Sequence, residues 1–250
     1  FVPGGWFLCG GDSEAENSYS LNRVWLDDFV MSRFPVTNRA YLMFLNSLVL
    51  DGREADALKW VPRETAGASE NTGSALYGRD DNGHFVLPPG NEIEKWELDW
   101  PVCMVSGHCA QAYCNWLSGY SGLPYRLPSE LEWTKSARGV DGRRYVWGNE
   151  IDPSYACLGV SHQGRRLPSV VDSYPVDESV YGIRGLSGNM MDWTSSGFRA
   201  NWKDLSNDSV RVYLGGAWLN YAKSARVSQR LYGNHAGQSR IIGFRVCRSI

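Results

Sequence analysis

The clearest hydrophobic period in the chain follows Val36-Thr37-Asn38, where Ala40, Tyr41, Phe44, Leu45 and Leu48 recur on one face at helical spacing. Pro35 marks the approach, and the pattern predicts a helix over 38–49. A second helix is expected after Ser106, which can cap it; Ala110, Tyr113, Cys114 and Leu117 fall at i, i+3, i+4 and i+7, and Gly119 and Gly122 end it. Ser129-Glu130-Leu131-Glu132 has the form of a capping box, predicting a third helix that runs to Arg138 with Gly139 as its C-cap. Between the first two helices, residues 51–99 are polar and rich in Gly, Glu and Asn, with one short apolar run at Phe85-Val86-Leu87, and read as an insertion or long surface loop. Beyond Gly139 no helical period is sustained. Short apolar runs alternate there with Gly, Pro, Ser and Asp, which predicts loops and short strands. No repeat and no Pro/Ser-rich linker divides the chain, so residues 1–250 are expected to form one domain.

Composition narrows the partner more than the fold. Hydrophobic residues make up 43% of the chain, enough for a sizeable core. The 25 basic and 27 acidic residues leave a formal charge of -2, with no Lys/Arg run to track phosphates, so nucleic acid is not an expected partner. The longest apolar-leaning stretch, Tyr41 to Leu50, is half the roughly 20 residues a membrane-spanning helix needs, and Asn46 and Ser47 interrupt it. Position 1 is Phe, so an upstream segment with any signal or lipid anchor is expected outside these residues, and no localisation is read. Cys9, Cys103, Cys109, Cys114, Cys157 and Cys247 form no CxxC pair and are expected to be buried small hydrophobes. Eleven Trp and thirteen Tyr suit either a looped core or a recognition surface.

Ordered motifs then point to a family. Phe1-Val2-Pro3-Gly4-Gly5-Trp6 is followed by Val24-Trp25-Leu26-Asp27-Asp28-Phe29 and Phe34-Pro35-Val36-Thr37-Asn38. Next come Pro101-Val102, Val105-Ser106, Ala112-Tyr113-Cys114-Asn115-Trp116-Leu117-Ser118 and Tyr125-Arg126-Leu127-Pro128-Ser129-Glu130. The series ends with Gly188-Asn189-Met190-Met191-Asp192-Trp193, Gly215-Gly216-Ala217-Trp218 and Gly243-Phe244-Arg245. In this order the motifs resemble the formylglycine-generating-enzyme, or sulfatase-modifying-factor, family. The resemblance implies an α+β, C-type-lectin-like fold, loop-rich, with short antiparallel strands and about three early helices. On the structural reading of the motifs, Gly215 and Gly216 permit tight backbone, Trp218 and Phe244 are core, and Arg126, Arg226, Arg230 and Arg245 are buried forks on carboxylates or carbonyls.

The resemblance also implies what should be missing. Members that make formylglycine carry two cysteines after the Gly-Gly-Ser-aromatic motif, as ligands for copper(I). Here those positions hold Asn220 and Ala225, so no such oxidation and no bound copper are expected. Sulfoxide-synthase relatives use a His-x-x-x-His-x-Glu iron site, whereas His84, His108, His162 and His235 are isolated in this sequence. Two calcium sites common in the family map onto Asp172 with the carbonyls of Leu158 and Tyr174, and onto Gly188, Met190 and Asp192. Each has lost an oxygen ligand, at Cys157 and at Gly185, so no cofactor is required and calcium is at most an accessory ion.

From Gly215 to Arg245 the spacing is similar to the variable region of diversity-generating-retroelement proteins, which share the fold. That likeness implies a ligand-contacting set of Leu219, Asn220, Tyr221, Ser224, Leu231, Tyr232, Gly233, Ser239, Arg240 and Ile241 on a fixed frame. The stretch from Val61-Pro62-Arg63-Glu64 to Tyr77-Gly78-Arg79-Asp80 resembles instead the domain that ends bacterial serine/threonine protein kinases, although no kinase signature is present here. The expectation is a non-catalytic module that binds a protein or other exposed ligand, with its oligomeric state left open. The alternatives are a kinase-associated sensor or docking domain and a degenerate copper-dependent oxidase.

Overall fold

The computed structural model describes residues 1–64, 73–88, 96–164, 166–204 and 207–250, without the side chain of residue 208. Helix α1 spans Asn38–Leu50, and the Thr37 hydroxyl accepts the Ala40 amide at 3.2 Å. The face predicted from the period is the buried one: Tyr41, Phe44, Leu45 and Leu48 all point inward. A second helix, α2 (Glu54–Trp60), lies inside the segment read as an insertion loop. It buries only Ala57 and has seven residues, too few for a period to register. Helix α3 (Gly107–Ser121) is capped by Ser106, and its C-cap is Gly122; Gly119, expected near the end, lies within it. Helix α4 (Glu130–Arg138) carries the full capping box between Ser129 and Glu132. Four α-helices therefore replace the three expected among the described residues, with α2 as the addition.

The strands are short and mostly antiparallel. β1 (Gly5–Cys9) pairs with β2 (Asn22–Leu26), β3 (Phe29–Met31) pairs with the last strand β10 (Cys247–Ser249), and β4 (Gly78–Arg79) with β5 (Phe85–Val86) makes a small hairpin in the insertion. The second half builds a four-stranded sheet from β6 (Met191–Phe198), β7 (Asn207–Leu214), β8 (Leu231–Asn234) and β9 (Ile242–Gly243), in the order β8-β7-β6-β9. The β6–β9 pair is parallel, a departure from the antiparallel expectation that arises because the tail returns alongside β6 after a long excursion through β8. The largest core cluster draws on Tyr41, Tyr113, Trp193 and Phe244, so the helices and the late sheet share one interior.

Buried guanidinium groups lock these layers together. Arg245 Nε meets Asp192 Oδ2 at 2.6 Å with neither side chain exposed, and the Trp133 indole donates to the same oxygen at 2.8 Å. Arg230 bonds Glu130 at 2.8 Å, Arg226 bonds Asp12 at 2.8 Å, and half-buried Arg126 forks onto Glu132 at 2.6 and 2.8 Å. These are the carboxylate forks predicted for the four arginines. All six cysteines are buried and unpaired.

Candidate functional site

The tail is set by a close backbone approach at the end of β7. A Cβ on Gly216 would stand 2.0 Å from the Ser187 carbonyl oxygen, so only glycine lets the two segments pass. The chain then turns: the Asn220 amide donates to Ala217 O at 2.8 Å, and Asn220 O accepts from Gly159 N at 2.8 Å. Leu219 and Tyr221 are exposed, Ser224 is half-buried, and Ala225 is buried. The Asn220 side-chain Oδ1 is buried without a partner among the described residues.

The remaining candidate contacts occupy two further places. Leu231, Tyr232 and Gly233 lie on β8, the outer strand of the sheet. Tyr232 is exposed and stacks on Phe198 at 3.9 Å between ring centroids, while Leu231 packs toward the core. Ser239, Arg240 and Ile241 form the loop into β9; Ser239 O accepts from Met104 N and Ile241 O from Met191 N. Of these three only Arg240 is exposed. The Trp218 indole N–H donates to Arg240 O at 3.0 Å, which joins the 218–220 turn to this loop. Trp218 is therefore not core as expected: it is half-buried and faces a cleft.

That cleft, with a volume of about 320 Å³, is the feature sequence reasoning missed. Trp218 and Arg240 line one part of it, Cys103 and Met104 another, and Trp96 and Trp100 a third. Leu76 and Glu64, also in the lining, come from the segment read as a surface loop, which thus supplies a wall. Two tryptophans four residues apart in an otherwise polar stretch were the available signal. Burial pushes the Cys103 thiol up to about 12, so it is neutral.

The histidines are not all isolated, because His108 and His235 meet at 4.2 Å between ring centroids. Burial, then His108 and Arg211, hold His235 down at about 4. Among the described residues no group of three or more His, Cys, Asp or Glu side chains gathers as a metal site.

Several oxygens of the calcium sets implied by the resemblance are engaged elsewhere. Asp192 is held by Arg245 and Trp133, and Gly188 O accepts from Met190 N. Asp192 Oδ1 has no partner among the described residues, but it belongs to a pair that already contains a guanidinium, which disfavours a second cation. In the other set Leu158 O accepts from Ser161 N, Tyr174 O from Asp177 N, and exposed Asp172 offers the only carboxylate. Cys157 faces His162 Nε2 at 3.6 Å with a thiol pushed up to about 11 by burial, a soft neutral group where a hard oxygen would be needed. Each set thus holds one group whose chemistry opposes calcium, the Arg245 guanidinium on Asp192 in one and the Cys157 thiol in the other. The loop joining them is organised by Asp177, whose carboxylate accepts the amides of Leu186 and Ser187.

The sulfatase-modifying factor enzyme 1-like domain profile matches residues 1–250. Inactive C-alpha-formylglycine-generating enzyme 2 of Bos taurus is 28% identical across 98% of this chain and 85% of its own length. Hercynine oxygenase of Mycolicibacterium smegmatis is 32% identical across 87% of this chain, but over 53% of its own length. Serine/threonine-protein kinase pkn1 of Chlamydia caviae is 26% identical over the whole chain and 38% of the kinase. Among solved structures, PvdO from Pseudomonas aeruginosa superposes with a TM-score of 0.71 at 20% identity, covering 99% of this chain and 92% of that one. Treponema denticola variable protein 1 superposes with a TM-score of 0.69 at 17% identity, covering 99% and 93%. These two likenesses bear on the fold alone.

Proposed function

The chain belongs to the sulfatase-modifying factor enzyme 1-like domain family, and from that membership we propose that it is a non-catalytic binding module, presenting a variable C-terminal surface to a protein or other exposed ligand. The observation that carries this reading is the segment after Trp218. Asn220 and Ala225 stand where the sequence resemblance puts two copper-binding thiols, and neither side chain is a copper(I) ligand of any strength. The six cysteines are buried, and burial pushes Cys9, Cys103, Cys114 and Cys247 up to about 12, far from the thiolate that oxygen activation requires. Relatives that carry the word inactive in their names support the same reading. The exposed Tyr221, Tyr232 and Arg240 are of types favoured in adaptable contact surfaces.

The test is an aerobic incubation of the full chain with copper and a cysteine-containing sulfatase peptide. No aldehyde above background is expected; stoichiometric aldehyde overturns the non-catalytic reading. A second reading, a domain that ends a bacterial serine/threonine protein kinase, is favoured by the match to pkn1 over the whole of this chain. A kinase reading frame fused upstream would support it.

A further inference from the structure

The 320 Å³ cleft holds two groups of opposite charge that do not neutralise each other. Arg240 comes from the loop into β9 and Glu64 from the insertion, and both are exposed in its lining. Among the described residues neither side chain makes an ion pair within 4 Å or a hydrogen bond. Arg240 is nonetheless held in place through its backbone, because its carbonyl accepts the Trp218 indole N–H and the adjacent Ser239 O accepts from Met104 N. The rest of the lining includes Trp96, Trp100 and Trp218 together with Met104. With its N–H engaged, Trp218 offers the ligand an apolar ring.

From this arrangement we infer that the cleft binds a free α-amino acid with a large apolar or aromatic side chain. Its carboxylate lies on the Arg240 guanidinium, its ammonium turns toward Glu64 and the indole faces, and its side chain packs among the tryptophans. A guanidinium takes a carboxylate through two parallel N–H donors, and indole faces attract an ammonium through their negative quadrupole. A ligand bearing one charge would make only one of the two charge contacts and forgo the other. The volume suits this class, since a cavity of about 150 Å³ already holds benzene. The inference rests on the reading of the chain as a binding module and names one ligand class for it.

The experiment is calorimetric titration of the full chain with L-tryptophan, indole-3-propionate and tryptamine, which carry both charges, the carboxylate alone and the ammonium alone. L-tryptophan is expected to bind at least 10-fold more tightly than either analogue. In Arg240→Gln the advantage over tryptamine is lost, and in Glu64→Gln the advantage over indole-3-propionate is lost. Both substitutions are at exposed positions, and an unchanged melting temperature checks that the fold is kept. Equal binding of all three compounds, or no binding at millimolar concentration, overturns the assignment. Failure here leaves the non-catalytic reading standing, whereas aldehyde formation in the copper assay removes that reading even if L-tryptophan binds.

Discussion

Arg245 Nε lies 2.6 Å from Asp192 Oδ2 with both side chains wholly out of solvent, and through Trp133 the pair ties α4 to the sheet and the tail. Arg245 Nη2 adds bonds to the carbonyls of Arg184 and Gly185. Removing the cation alone would strand a buried carboxylate, which costs about 3–5 kcal/mol. Arg245→Met is therefore expected to lower the denaturation midpoint sharply. The paired change Asp192→Asn with Arg245→Met should recover part of the loss; a double variant no better than the single would mean that the carboxylate is not the source of the cost.

Asp177 predicts a pH dependence of the opposite sense to a salt-bridged carboxylate. Burial pushes its carboxyl up from 3.8 to about 6, against the bonds it receives from Ser187 and the attraction of Arg245. The folded state thus holds a proton that the unfolded chain has released, so this group's contribution is most favourable at low pH. It declines as pH rises from about 4 to about 6, by about 3 kcal/mol in all at about 1.4 kcal/mol per unit. Asp177→Asn cannot titrate, so its stability relative to wild type should improve as pH rises through that window. Urea denaturation at pH 4, 5, 6 and 7 reads the difference, and a constant difference rules the effect out.

Calcium is expected to leave the protein unaffected. Asp192 is already paired with a guanidinium, and the carbonyls of Leu158 and Tyr174 are used within their own turns. An ion that bound the native state would stabilise it by about 2.7 kcal/mol at 100 times its Kd. Melting curves with 5 mM calcium and with a chelator should superpose within about 1 °C, a shift corresponding to a few tenths of a kcal/mol. A rise of several degrees would show that the engaged oxygens rearrange around the ion.

What could be seen in the sequence was local. The caps at Thr37, Ser106 and Ser129 and the apolar faces behind them are written within a few consecutive residues, and the structure has helices at all three. The arginine forks were visible as residue types, but their partners were not, since Arg245 and Asp192 are 53 positions apart. The assembly of the cleft was hidden for the same reason, although the Trp96/Trp100 spacing hinted at one wall. Trp96 and Trp100 meet Trp218 and Arg240 only after the insertion folds back on the tail, and no periodicity encodes that contact. The candidate contacts proved mixed: Tyr221, Tyr232 and Arg240 are exposed, but Leu231 and Ile241 pack against the core.

Two glycines should respond to alanine with opposite signs, and the contrast separates a packing requirement from a mere absence of side chain. At Gly119 a Cβ meets nothing within 4 Å among the described residues, and the residue is exposed in the last turn of α3. Alanine there costs no contact and reduces the freedom of the unfolded chain, so Gly119→Ala should stabilise by about 0.5–1 kcal/mol. At Gly216 the same methyl would stand 2.0 Å from Ser187 O and 3.1 Å from Leu158 Cδ2. The atom in the way is backbone, and the segment carrying it is fastened by Asp177 through the amides of Leu186 and Ser187, so it cannot yield without breaking those bonds. Gly216→Ala should destabilise by about 3 kcal/mol, at the upper end for overpacking. Because Trp218 follows two residues later and lines the cleft, any Gly216→Ala protein that still folds should also bind L-tryptophan more weakly, while Gly119→Ala leaves that binding unchanged. Chemical denaturation and titration of both variants check the four outcomes, and a stable Gly216→Ala protein would mean that the 186–188 segment is not fastened as its hydrogen bonds imply.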